Sequence, residues 1–279
     1  MLHKHNIFNG VWAIEPGFSD NQLPRIVSFL KGSSAGTPAS EIDPLSIHIQ
    51  SSSSSSLGSS GDDSSNESYI AVVSISGVIT KHSQFCGPAG MVKVASILEE
   101  CFASDDITGV LLHIESGGGE FMAMRLMNET LAKKNKPVVG FIDDYACSAA
   151  AGIAFGCDYV VANSKMARVG SLGTYTTIAD YSKKLEKEGI DVKEVYATDS
   201  KHKNGEVREA LKGNLKPLQE LTDKYNDYFM DTIESNRQGK LTESREVWGT
   251  GKVYFADEAL KLGLIDKIDT FQNTLNYFT

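Results

Sequence analysis

The chain is 279 residues long, 41% hydrophobic, and carries a formal net charge of −9. That size and apolar content suffice to bury a sizeable core, and the acidic balance argues against a surface built for nucleic acid or for an anionic membrane. No apolar window approaches the ~18–20 residues of a membrane span, and the start, MLHKHNIFNGVWAIEPG, lacks a signal-peptide apolar region, so a cytoplasmic protein is expected.

Residues 1–32 read as an N-terminal arm. Residues 33–68, with six consecutive serines at 51–56, read as a Ser/Gly-rich flexible linker, because such a composition cannot bury enough apolar surface to offset ordering entropy. A body spans 69–270, followed by a tail at 271–279. In the body, YIAVVSISGVI (69–79) predicts a strand, and the spacing of Val92, Ala95, Ile97 or Leu98, and Phe102 predicts a helix over 89–104. GVLLHIES (109–116) is a buried strand, 120–134 a helix, PVVGFID (137–143) a strand, the small-residue run after it a helix, and DYVVAN (158–163) a strand. Further on, IADYSKKLEKEG ends at Gly189 as a helix cap would, DVKEVYAT reads as a strand, and 214–238 as a long helix. FADEALKLGLID closes the body as helix, Gly263 cap and short strand. Strands alternating with helices predict an α/β fold with a mainly parallel sheet covered by helices. The apolar stripe Phe121, Met122, Met124, Leu126, Met127 and Leu131 reads as core or subunit interface.

Active sites in such sheets gather where strands run into helices, and two junctions carry chemistry. At IESGGGEF, three glycines free the backbone to approach a ligand with amides pointing outward. No GxxxxGK[ST] or GxGxxG is present, so the choice lies between an oxyanion hole and a plain turn. At ACSAAAGI, Ser148 stands alone among small residues at a helix start, where it is either an N-cap or a nucleophile, with the Ala149 amide able to join those of Gly117 or Gly118. His3, His5 and His48 lie in the arm or linker, His113 inside a strand and His82 in a loop, and no histidine has a triad context. A lysine base stays open, with Lys201 and Lys203 as candidates, each equally readable as a solvated surface charge. Cys86, Cys101, Cys147 and Cys157 form no CxxC pair and read as reduced thiols; no ligand cluster has metal-site spacing, so no metal and no organic cofactor are expected.

The ordered pieces ESGGGE, ACSAAAGI, GSLGT (170–174) and KHKNG resemble the signal peptide peptidase A family of Ser-Lys peptidases over about 69–268. The resemblance implies a crotonase- and Clp-protease-like fold of repeated ββα units and peptide-bond hydrolysis. It implies Ser148 as nucleophile, Gly117, Gly118 and Ala149 as oxyanion donors, and Ser171 as the serine that orients the lysine. The HK pair implies Lys203 as base, with Lys201 as the alternative. NGVWAIEPGFSDNQLPRIVSFL resembles the start of the phage head-maturation (capsid protease C) branch, which implies polypeptide substrates such as scaffold or capsid proteins, a homo-oligomeric ring, and a place in the cytoplasm or an assembling prohead. A soluble signal-peptide-peptidase-like enzyme acting on signal peptide remnants is the neighbouring alternative. Two other classes compete: an acyl-CoA hydratase/isomerase-type enzyme, with Glu115 or Glu120 as acid–base group, and a catalytically silent assembly protein.

Overall fold

A computed structural model describes residues 11–14, 44–50, 68–83 and 87–278. Most of the expected arm and linker, and Cys86, lie outside these residues. The described strands begin with β1 (Val11–Ile14), β2 (Leu45–Gln50) and β3 (Ser68–Ser76), then helix α1 (Met91–Ala103). β4 (Ile107–Ser116) leads through a glycine turn to β5 (Gly118–Glu120) and α2 (Phe121–Leu131). β6 (Val138–Cys147), α3 (Ala149–Ala154), β7 (Tyr159–Ala162), β8 (Arg168–Gly170) and β9 (Tyr175–Thr176) follow. The rest is α4 (Ser182–Lys187), α5 (Gly205–Leu211), α6 (Lys216–Asn236), α7 (Arg245–Trp248), β10 (Val253–Phe255), α8 (Ala256–Lys261), β11 (Lys267–Ile268) and α9 (Phe271–Leu275).

The main sheet runs β10-β8-β6-β4-β3-β2, with β7 also on β6 and β11 on β7. Its centre, β3, β4, β6, β7 and β8, is parallel, and β2 and β10 add antiparallel edges, so the expected α/β architecture is present. Val110, Leu111, Leu112 and Ile114 of β4 are fully buried, as a strand covered on both faces requires. One face carries the larger core, in which Val94 and Leu98 of α1, Met124 and Met127 of α2, all of α3 but its glycine, and Phe229 and Ile233 of α6 pack together. The other face, with Ile70, Val72, Leu111, Val139, Phe141 and Val161, is covered by Phe271, Leu275 and Phe278. Residues 271–278, expected as a tail, therefore help to close the fold.

Three further differences have physical causes. The Leu45–Gln50 stretch, expected within the flexible linker, pairs antiparallel with β3, because its alternating Leu45, Ile47 and Ile49 outweigh the surrounding serines. DVKEVYAT forms no strand: 191–197 has no regular structure, with Val192 63% and Val195 94% exposed, since it pairs with no sheet edge. β6 continues to Cys147, four residues beyond its expected end, so Ser148 follows the strand directly.

Candidate active site

Three neighbouring parallel strands end side by side and build the site. Ser116 of β4 lies opposite Ala146 of β6, and Cys147 of β6 lies opposite Gly170 of β8. The residues that follow these pairs, Gly117, Ser148 and Ser171, therefore share one edge at strand spacing, about 5 Å apart per strand.

Ser148 occupies the turn between β6 and α3 with φ 55° and ψ −120°. It stands at the N-cap position of α3, but its side chain accepts no capping hydrogen bond, so the hydroxyl is not spent on the helix. Its amide donates to the Gly170 carbonyl (2.7 Å), its carbonyl accepts from the Gly152 amide (3.0 Å), and its hydroxyl donates to the Gly173 carbonyl (3.4 Å). A sharp strand-to-helix turn with positive φ sets a serine at the end of a sheet strand, where Ser148 is 1% exposed in the single chain. The small residues behind it serve packing: Ala149, Ala150, Ala151 and Ala154 are fully buried, and a Cβ on Gly152 would stand 2.4 Å from the Met124 sulfur and 2.7 Å from the Phe229 ring. They make room for α2 and α6 rather than for a substrate.

The glycine turn divides its amides. Gly118, at φ 106°, donates to the Ser116 hydroxyl (3.0 Å), which in turn donates to the Gly77 carbonyl (2.6 Å). The Gly117 and Ala149 amides have no hydrogen-bond acceptor among the described residues. Two open amides beside one hydroxyl are what an oxyanion hole needs.

Ser171 also holds positive φ, 52°, is 9% exposed, and donates its amide to the Lys252 carbonyl (2.8 Å). Gly170 must be glycine here: its φ is 129°, and a Cβ would meet the Lys252 carbonyl oxygen at 2.5 Å. The loop after Ser171 is braced by α6, where Asn226 accepts from the Thr174 amide (3.2 Å) and the Thr222 carbonyl accepts from the Thr174 hydroxyl (3.2 Å). Gly173, Thr222 and Asn226 went unassigned in the sequence; the first acts through its backbone and the others lie far along the chain.

Lys201 and Lys203 lie on the exposed turn between a 3₁₀ turn at Thr198–Ser200 and α5. Neither ammonium makes a hydrogen bond or ion pair among the described residues, so the chain by itself does not seat either against Ser148. His82 is exposed, and His113 stacks on Phe141 on the second face, 3.6 Å from Asp143. Cys147 is buried, with its thiol toward the Arg168 carbonyl (3.7 Å). Glu115 accepts the Asp144 (2.6 Å) and Tyr145 (3.0 Å) amides, and Glu120 accepts the Lys81 amide (2.8 Å).

Residues 130–278, more than half of the chain, match the sequence profile of Peptidase family S49. The chain belongs to that family. The match takes in Ser148, Ser171 and both lysines. Among relatives of this S49 chain, a protein of Methanocaldococcus jannaschii is 30% identical over 64% of the chain and 58% of its own length. Capsid assembly protease C of Escherichia phage lambda is 24% identical over 71% of the chain and 46% of its own length. The S49 chain thus spans about half the length of these relatives. The solved structure of an enoyl-CoA hydratase/isomerase of Pseudoalteromonas atlantica superposes with a TM-score of 0.41 at 14% identity, covering 75% of this chain and 69% of its own. Among the described residues no helix is long and apolar enough to cross a membrane.

Proposed function

We propose that the chain is a serine endopeptidase with a Ser148–Lys203 dyad. The observation that carries this reading is Ser148 held at positive φ on a sheet edge beside the unoccupied Gly117 and Ala149 amides. A neutral Lys203 takes the Ser148 proton as the hydroxyl oxygen attacks the scissile carbonyl. The amides hold the oxyanion, and the lysine returns the proton to the leaving amine. Water, deprotonated by the same lysine, then releases the acyl group from Ser148.

A lysine acts as a base only when desolvated. Lys203 is exposed in the single chain, as are Ile190, Val192, Val195 and Leu211 in the same stretch of sequence. Assembly into a homo-oligomeric ring would cover this limb and bring the lysine to a serine, with Ser171 orienting it. The substrates are polypeptides. The likeness to the lambda protease and the WAIEP start favour scaffold or capsid proteins of a phage head, over signal peptide remnants. The acyl-CoA reading is weakened, because the Glu115 and Glu120 carboxylates each accept backbone amides and so bind neighbouring loops together.

The test is intact-mass spectrometry of an unfolded protein incubated with wild type, Ser148→Ala, Lys203→Ala and Lys201→Ala. Fragments are expected from wild type and Lys201→Ala, with losses of about 10⁴-fold or more in the other two. Cleavage that survives Ser148→Ala sinks the nucleophile. Cleavage lost in Lys201→Ala but kept in Lys203→Ala moves the base to Lys201.

A further inference from the structure

Strand β1 is the middle strand of a small three-stranded sheet, antiparallel to β5 on one side and β9 on the other. Both flanking strands continue the loops around Ser148. β5 begins at Gly118, directly after the open Gly117 amide, and β9 begins at Tyr175, two residues beyond the Gly173 carbonyl that accepts the Ser148 hydroxyl. β1 therefore fills a slot whose two walls lead to the nucleophile.

The backbone of the slot is built for an extended chain. On its far side β5 is bound to Ile79: the Ile79 amide donates to the Gly118 carbonyl and the Glu120 amide donates to the Ile79 carbonyl, both at 2.9 Å. Polar groups alternate sides along a strand, so the Gly119 amide and carbonyl face the slot, where Ala13 stands opposite them. Trp12 stands opposite Tyr175 on the other wall. Without an occupant these backbone groups would lose their partners. The register Trp12–Glu120, Ala13–Gly119, Ile14–Gly118 also sets a direction, with the occupant running toward Gly117 and Ser148.

On the peptidase reading the slot between β5 and β9 is where an extended substrate pairs, and building on that we propose that Val11–Ile14 is a resident competitor which must leave before a substrate strand enters. A competitor on the same chain acts intramolecularly, so it suppresses binding of dilute peptides.

The test uses the full chain as Ser148→Ala, so that binding is read without hydrolysis, and a fluorescein-labelled peptide of sequence GVWAIEPG, residues 10–17. Ala13→Pro removes the amide that faces Gly119. The peptide is expected to bind the doubly substituted chain about tenfold or more tighter than Ser148→Ala alone. Equal affinity for both chains, or binding to neither while both melt cooperatively, overturns the proposal. If Ala13→Pro fails to fold, Trp12→Cys with Tyr175→Cys staples β1 into the slot instead. The oxidised chain should exclude the peptide and the reduced chain admit it; equal binding overturns the proposal. Peptide binding with no hydrolysis by the Ser148 chain retires the peptidase reading and leaves the slot, whereas hydrolysis without competition retires the resident strand alone.

Discussion

Ser148 sits where an L-residue is costly, by about 1–3 kcal/mol for a sparsely populated backbone region. The hydrogen bond from its amide to the Gly170 carbonyl and the α3 turn behind it hold it there. Ser148→Gly removes the steric cost and should raise unfolding stability by about 1 kcal/mol, net of the extra freedom glycine gives the unfolded chain. Ser148→Ala keeps the Cβ and should stay within about 0.5 kcal/mol of wild type. Urea melts of the three chains check this; a glycine variant no more stable than the alanine variant would show that the turn is unstrained. The same residue marks what sequence can reveal. A lone serine in a small-residue run singles out Ser148, but its backbone angle, and the Gly173 carbonyl that holds its hydroxyl, arise only when β6 and β8 lie side by side.

At the scale of elements, the delivery of Ser148 depends on an irregularity in β6. Ile114 pairs with Ile142 and Ser116 with Ala146, so Asp143, Asp144 and Tyr145 bulge opposite Glu115 alone. Glu115 fills the bulge by accepting two of its amides. Burial pushes its carboxyl above the ordinary carboxylate value, with the two amides pulling the other way. On the peptidase reading, Glu115 positions the nucleophile through the bulge. Glu115→Ala should lower kcat about ten- to a hundredfold by misplacing Ser148, while Glu115→Gln, whose amide oxygen still accepts, should retain most of it. Steady-state kinetics on a peptide substrate separate the cases, and a glutamine variant as inactive as alanine would mean that the charge itself takes part. No local pattern announces the bulge, because Asp143 and Asp144 look like an ordinary strand end.

For the whole molecule, one buried ion pair ties the last third of the chain together. Arg237, at the end of α6, is fully buried; it donates to the Gly263 carbonyl (3.0 and 2.6 Å) and to Asp266 (2.8 and 3.1 Å). Asp266 also accepts the Val160 amide (2.8 Å) of β7. Burial alone would raise the Asp266 carboxyl, but the Arg237 guanidinium, with Lys240 and that amide, holds it below the ordinary carboxylate value. A depressed carboxylate contributes stability that is present above its unfolded pKa and lost as pH falls through the folded one. Melts over roughly pH 2 to 6 should therefore show an acid-side loss that Asp266→Asn flattens. Arg237→Ala removes the fully buried partner but leaves Asp266 with Lys240 (3.0 Å) and the Val160 amide, so it should cost less than a fully unpaired buried charge, about 2–3 kcal/mol; a loss below about 1 kcal/mol would mean that Lys240 alone compensates Asp266.

Burial of apolar faces and turn chemistry act over a few residues, so the alternating elements, the parallel centre of the sheet and the serine at a strand-to-helix junction are legible in the residue pattern. Which amides stay unpaired, that Leu45–Gln50 joins the sheet, that 191–197 does not, and that Val11–Ile14 lies between β5 and β9 follow from packing in three dimensions. Each of these depends on a partner distant in the chain: a strand forms where an edge is offered, and an amide stays open where no carbonyl arrives. Neither condition is written in the local pattern of residues.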